Sequence, residues 1–262
     1  MSAHRSPPNR FPLCPATTDS PGRTITYLIA PLLLIQALWV RLRTPRLPGA
    51  AGPASGTIAG KGEALGLIVL GESPVTGIGA RTHEHAVTGR TAEALASRTG
   101  RPVNWRAFGL SGATARRMFR EVVPQLEVKT ADVVIIALGV NDVLAWRSSS
   151  EWVADIEQLI SAVREHLGNA LILLTGVPPM QYFPALPQPL RRVLGMRARL
   201  LDRASVNLAE VLPRVIHVPS DFELSRDFFC DDGFHPSESG YAQWGETLAE
   251  EILRVLPQNG DL

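Results

Sequence analysis

The sequence predicts an α/β domain, a three-layer α/β/α sandwich built on a parallel sheet of about five strands. Three observations carry this. Five short strand-like runs recur at intervals: LGLIVL (65–70), VNWRAF (103–108), VVIIAL (133–138), ALILLT (170–175) and RVIHV (214–218). The stretches between them are longer and carry helical spacing. The runs lead into Gly, Asn, Asp or Pro signals, as strand ends do. Runs that are apolar on both faces and alternate with helices imply a parallel sheet covered on both sides.

The elements follow in chain order. Residues 1–24 are polar and rich in proline, and are expected to be disordered. An uncharged segment follows, ITYLIAPLLLIQALWV, from Ile25 to Val40. Arg23 and Arg41 bracket 17 uncharged residues. That is about 25 Å of helix against a bilayer core of about 30 Å. Pro31 and Gln36 interrupt it, and Trp39 suits an interface. Residues 25–41 therefore read as an uncleaved membrane anchor, with a cleaved signal or a buried or interfacial helix as alternatives. Arg41, Arg43 and Arg46 on the C-terminal flank, against Arg10 and Arg23 before it, point the main domain to the cytoplasmic side. Residues 42–63 are rich in Gly, Ala and Pro and read as a linker. The folded domain is expected over 64–256, with a tail at 257–262.

Within that domain two helices stand out. In WVADIEQLISAVREHL, Val153, Ile156, Leu159, Ile160 and Val163 share one face, and Gly168 and Asn169 stop the helix. In SGYAQWGETLAEEILRVL the same spacing aligns Tyr241, Trp244, Leu248, Ile252 and Val255.

Composition narrows the function. The chain has 262 residues, 45% of them apolar, enough for one sizeable core. A net charge of +1 supplies no basic face for nucleic acid. Cys14 and Cys230 are the only cysteines, which excludes a disulfide framework and argues against a cysteine metal site. If residues 25–41 crossed a membrane, the two thiols would lie in different compartments.

Sites in parallel sheets gather at the carboxyl ends of the strands. The first such end reads GESPVTGIGA (71–80). It is no phosphate loop: Gly71 and Gly77 are one residue too far apart, and Ile78 stands where lysine should. Gly77 and Gly79 complete only half of a dinucleotide fingerprint. Ser73 remains as a candidate nucleophile, which requires a base and a group that orients the base.

Six histidines could serve. His4 lies in the polar start, His166 ends a helix where the dipole favours it, and His217 lies inside a strand run. His83 and His85 form a polar H-x-H without an obvious third metal ligand. His235 differs. It precedes the last helix, with Asp232 three residues upstream and Gly233 permitting a tight turn between them. One short loop could thus carry base and orienter; a capped helix start with Asp–His turn bonding is the plainer alternative. Gly112 and Asn141 are candidate donors to a developing oxyanion. Ser111, in GLSGA (109–113), is a rival nucleophile, because that stretch nearly matches the G-x-S-x-G elbow. Against it, only one strand run precedes the stretch after the linker.

GESP after the first strand, SGAT after the second, GVND after the third and DDGFHP before the last helix together resemble the four blocks of the SGNH (GDSL-type) hydrolases. The resemblance covers roughly residues 65–256. The chain is also similar to a membrane-linked bacterial group of that family. The resemblance implies a flavodoxin-like sandwich and an ester hydrolase that needs no metal or organic cofactor. It implies Ser73 as nucleophile, His235 as general base and then acid, and Asp232 as its orienter. It implies an oxyanion hole from the Ser73 and Gly112 backbone N–H groups and the Asn141 side chain, with Gly109 as the weaker candidate. Glu72 departs from the family's Asp and is expected to brace the loop with altered geometry. Pro74 is unusual after the nucleophile and stiffens the turn.

The expected substrates are short- or medium-chain acyl esters, or lysophospholipids. An O-acetyl deacetylase of carbohydrate or envelope is the alternative within enzymes, and a catalytically weak membrane-bound binding protein the alternative outside them. Met180, Tyr182, Phe183 and Leu186 could wall an acyl pocket or simply pack in a crossover. A small-molecule or lipid ester, membrane association through residues 25–41 and no nucleic acid complete the expectation.

Overall fold

A computed structural model describes residues 20–220 and 224–256. Its centre is a six-stranded sheet of β1 (Ser55–Ile58), β2 (Leu65–Gly71), β3 (Val103–Gly109), β4 (Val133–Ala137), β5 (Leu171–Thr175) and β6 (Val215–Val218). Five of these match the five sequence runs, each end within one residue. The order across the sheet is β1-β3-β2-β4-β5-β6. β2 to β6 are parallel, and β1 joins the β3 edge antiparallel.

The helices are α1 (Ser20–Arg43), α2 (Val87–Thr99), α3 (Ala115–Arg117), α4 (Val140–Leu144), α5 (Ser149–Leu167), α6 (Leu190–Val211) and α7 (Glu238–Val255). Alternate strand residues feed two separate cores. Leu67, Val69, Val133, Ile135 and Leu173 pack with α2 and α7. Ile68, Leu70, Ile136, Ile172 and Leu174 pack with α5 and α6 on the other face. This gives three layers, and it explains why the strand runs are apolar throughout rather than alternating.

The two helices read from spacing form as expected. Ser148 and Glu151 make a reciprocal capping box at the start of α5, and Gly168 closes its end. Trp152 of α5 donates its indole N–H to Ser205 of α6 inside the core, 2.9 Å away. Ser237 caps α7 by accepting from the Gly240 N–H. Val255 lies at the exposed end of the α7 stripe.

The sheet departs from expectation at β1, which lies inside the stretch read as a linker. SGTI carries no apolar alternation, so nothing local marks it as a strand. Its pairing depends on a distant residue: a side chain on Gly56 would collide with the Trp105 indole, at 2.7 Å. The strand forms because glycine lets its backbone lie over that ring.

The N-terminal segment is the larger correction. Among the described residues no helix is long and apolar enough to cross a membrane. Residues 25–41 belong instead to α1, which packs on the domain. This overturns the membrane anchor, the membrane association through 25–41 and the cytoplasmic placement that followed from it. Leu33 is only 4% exposed and joins the α5/α6 core, a burial worth about 1.5–3 kcal/mol. Gln36, the polar interruption, is the second fastening. Its side-chain amide donates to the Gln188 carbonyl at 2.6 Å and accepts from the Leu190 N–H at 3.0 Å. The second bond satisfies an N–H that the first turn of α6 leaves open. α1 begins at Ser20, inside the stretch expected to be disordered. Residues 1–19, with Cys14, and the tail 257–262 lie outside the described residues.

Candidate active site

Three strand-end loops and the segment before α7 meet at one end of the sheet. Ser73 follows β2 directly. Gly71 permits this, because a Cβ there would lie 2.3 Å from the Ala137 carbonyl of β4. Gly79 closes the same stretch with φ +96 and no room for a side chain. A Cβ would stand 2.3 Å from both the Cys230 sulfur and the Pro236 carbonyl. The glycines of GESPVTGIGA therefore let the Ser73 loop press against β4 on one side and the His235 loop on the other. Tyr241 of α7 reinforces the second contact by donating its hydroxyl to the Ile78 carbonyl at 2.6 Å.

The His235 loop is closed on itself. The Cys230 N–H donates to the His235 carbonyl at 2.8 Å, and the Gly233 N–H to the Cys230 carbonyl at 2.9 Å. Gly233 has φ +62, as the tight turn requires. Within this turn Asp232 Oδ1 accepts from the backbone N–H groups of Phe234 and His235 at 2.8 and 2.9 Å. Its Oδ2 lies 2.6 Å from His235 Nδ1. Burial pushes the Asp232 carboxyl up. The His235 ring and the two N–H donors outweigh burial and hold it below the usual carboxylate range. A charged acceptor at Nδ1 selects the tautomer with the proton there, leaving Nε2 free to accept. His235 Nε2 is 3.0 Å from Ser73 Oγ. Serine, imidazole and carboxylate thus form one continuous relay.

Among the described residues, three other histidines have partners outside this relay, and His4 lies outside the described residues. His166 Nε2 lies 2.8 Å from the Leu126 carbonyl, and His217 Nε2 2.9 Å from Asp202 Oδ1. His85 Nδ1 lies 2.7 Å from the Thr82 hydroxyl. Ser111 is exposed in the turn after β3, while the His235 ring, with Asp232 behind it, faces Ser73.

The candidate oxyanion donors lie on neighbouring loops. The backbone N–H groups of Ser73 and Gly112 are engaged by no other group among the described residues. Gly112 adopts φ +74 in the exposed loop after β3, with open space around its α-carbon. Asn141 lies in the first turn of α4, and there Glu72 acts. Its Oε1 accepts from the Val140 N–H at 3.0 Å and its Oε2 from the Asn141 N–H at 3.0 Å. The Asn141 side-chain amide also donates to Oε2. One carboxyl group therefore caps α4 and holds the Asn141 side chain, leaving the second amide hydrogen for another acceptor. Glu72 is 4% exposed. Burial pushes its carboxyl up to about 8, against the backbone donors that pull it down.

Sequence reasoning did not single out Asp142, the last residue of GVND. It is fully buried and accepts from the Ala115 N–H at the start of α3, at 3.1 Å. It ties the Gly112 loop to the Asn141 loop. Burial raises its carboxyl to about 7. The signal available in sequence was the acidic residue directly beside the candidate donor Asn141.

Beside Ser73 lies a cavity of about 50 Å³, walled by Pro74, Thr175, Phe183, Phe229 and Phe234. Phe183 packs edge-on against Phe229 and Phe234, with ring centres 5.3 and 5.2 Å apart. Of the four residues considered for an acyl pocket, Phe183 lines this cavity and Met180 is buried in the core. Tyr182 faces solvent. Leu186 lines a second opening, described below.

The model of the GDSL-like lipase/acylhydrolase family matches residues 69–243, more than half of the chain and all of the residues just described. The chain belongs to this family. It is 26% identical over 208 residues to the GDSL-like esterase Rv1075c of Mycobacterium tuberculosis, a match covering 75% of this chain and 64% of that protein. The chain thus spans less than two thirds of that relative's length. Among solved structures, TesA superposes with a TM-score of 0.59 at 21% identity, covering 73% of this chain and 99% of that one. A family 3 carbohydrate esterase of Clostridium thermocellum gives 0.57 at 18%, covering 75% and 100%. At these identities the superpositions establish the SGNH three-layer fold.

Proposed function

We propose that this chain hydrolyses carboxylic esters of short or medium acyl chain through an acyl-enzyme on Ser73. The observation that carries the reading is the relay from Asp232 Oδ2 through His235 to Ser73 Oγ, at 2.6 and 3.0 Å. Family membership agrees with it.

The chemistry follows from the geometry. Ser73 Oγ attacks the ester carbonyl carbon while His235 Nε2 takes the hydroxyl proton. Negative charge moves to the former carbonyl oxygen, toward the Ser73 and Gly112 N–H groups and the free Asn141 amide hydrogen. Asp232 stabilises the imidazolium without taking its proton. The tetrahedral species then expels the alcohol, whose oxygen receives the proton from Nε2. A water molecule repeats the sequence on the acyl-enzyme, with His235 again as base, and releases the carboxylic acid.

A second reading, removal of acetyl groups from carbohydrate, is favoured by the size of the Ser73 cavity. At about 50 Å³ it has room for few acyl atoms. The carbohydrate esterase among the structural neighbours belongs to the same picture. An inactive binding protein is disfavoured by the aligned relay.

Nitrophenyl acetate, butyrate, octanoate and palmitate, assayed with wild type, Ser73→Ala and Ser111→Ala, test the proposal. The expected result is hydrolysis that Ser73→Ala abolishes and Ser111→Ala leaves in place. Full activity in Ser73→Ala would sink the assignment, and loss in Ser111→Ala alone would move it to the rival serine.

A further inference from the structure

A second, larger opening of about 580 Å³ also reaches the site, and it does so at His235 and Phe234 without touching Ser73. Leu34, Ala37 and Val40 of α1 form one wall, and Leu190 and Leu194 of α6 form another. Trp146 lies along it. Arg41 is the single Arg, Lys, Asp or Glu side chain of the lining. Its volume falls within the range of about 300–1,000 Å³ usual for sites that enclose small ligands.

The walls of this groove are held in place. The Gln36 clamp onto Gln188 and Leu190 fastens α1 at the mouth of α6, and Leu33 anchors the same turn in the core. Trp146 has φ +56, a conformation that a bulky side chain adopts only when its surroundings require it. The Arg197 guanidinium lies over its ring at 4.4 Å, yet the side chain remains about half exposed, at 49%. An indole held in a strained backbone position, with one face open to an apolar groove, is a surface suited to an aliphatic chain.

The position of the groove decides which half of an ester it serves. The departing alcohol oxygen must come within reach of His235 Nε2, because it takes its proton from there. A groove that ends on His235 and omits Ser73 therefore lies on the leaving-group side. The cavity that does include Ser73 is small and suits a short acyl group. A sugar would leave its hydroxyls without partners in so apolar a lining, which is costly.

We propose that this groove binds the aliphatic chain of the alcohol half of the substrate, with α1 as part of the binding site. The preferred ester would then join a short acyl group to a long unbranched alcohol. This rests on the ester-hydrolase reading and deepens it.

Two measurements on the full chain separate the two claims. Calorimetric titration with n-hexanol, n-octanol and n-decanol reads the groove without catalysis. The expected affinity gain approaches fourfold per added methylene, the equivalent of about 0.8 kcal/mol. Kinetics with ethyl, hexyl and decyl acetate should show kcat/KM rising with alcohol length. Ala37→Phe, which fills the groove from its exposed side, should lower the decyl-to-ethyl ratio at least tenfold. Leu38→Ala, on the same helix but outside the groove, should keep the wild-type ratio.

Alkanol affinity independent of chain length, or a decyl-to-ethyl ratio unchanged by Ala37→Phe, would overturn the inference. So would a length preference confined to the acyl half, seen with the nitrophenyl esters. Length-dependent alkanol binding without hydrolysis of any ester would leave the groove standing and remove the hydrolase reading instead.

Discussion

Replacing Glu72 with alanine removes one acceptor group from three donors at once. Two are backbone N–H groups at the start of α4, and the third is the Asn141 side-chain amide. A donor left unsatisfied away from water costs about 1–3 kcal/mol. Val140 and Asn141 are half-buried, so water recovers part of this, and the expected loss of stability is about 2–4 kcal/mol. The effect on catalysis is of another kind. Deleting one oxyanion donor outright costs about 10²–10³ in kcat. Glu72→Ala leaves Asn141 present but unheld, so kcat should fall by about 10- to 100-fold, below that limit. KM should change by less than threefold, because the role proposed for Asn141 is on charge that develops after binding. Steady-state kinetics with nitrophenyl acetate and urea unfolding measure the two effects separately. Glu72→Asp keeps a carboxylate on a shorter stem and should fall between wild type and alanine in both. A folded Glu72→Ala protein with wild-type kcat, or a loss residing wholly in KM, would refute the view that Glu72 positions Asn141.

Three further outcomes follow from the same geometry. Asp232→Asn should lower kcat by about 10³–10⁴ while leaving the fold intact, because an amide no longer selects the Nδ1-protonated ring; a fall of less than tenfold would deny Asp232 its orienting part. Gly79→Ala should destabilise the chain by more than about 3 kcal/mol in urea unfolding, since its Cβ meets Cys230 and Pro236 at 2.3 Å with φ at +96; unchanged stability would mean that the two loops do not meet as described. The third concerns pH. Burial raises the Glu72 carboxyl from 4.5 to about 8, so the folded chain holds a proton that the unfolded chain gives up. The stability from that proton is full below pH 4.5 and is lost as pH rises to about 8. Glu72→Gln carries no titrating group there, so its melting temperature should decline less steeply over that window. Some slope should remain, because Asp142 is raised to about 7. Parallel melting curves for the two proteins across the window would contradict the buried, protonated Glu72.

Much of the candidate site was legible because its parts are local. Asp232 and His235 lie three residues apart in one turn, so their pairing could be read from spacing and a glycine. Ser73 follows a strand directly, and the end of a parallel strand is where a sheet presents its reactive groups. The five runs of β2 to β6 were legible for a related reason. A strand buried on both faces must be apolar throughout, whichever strands it pairs with.

What required the tertiary structure depended on a distant partner in each case. β1 is a strand because the Trp105 ring leaves room for glycine alone, and nothing within SGTI records that ring. Glu72 braces Asn141 across a separation of 69 residues, so its length could be noted as unusual but its three donors could not be named. α1 is the clearest instance. Its apolar residues, with Pro31 and Gln36 among them, describe a marginal bilayer helix and a docked surface helix equally well. Burial of Leu33 and the two bonds of Gln36 to the start of α6 separate these possibilities. The local sequence determined that residues 25–40 would be apolar and helical; that Leu33 and Gln36 are the side chains that dock was decided by where the rest of the chain placed the core, Gln188 and Leu190.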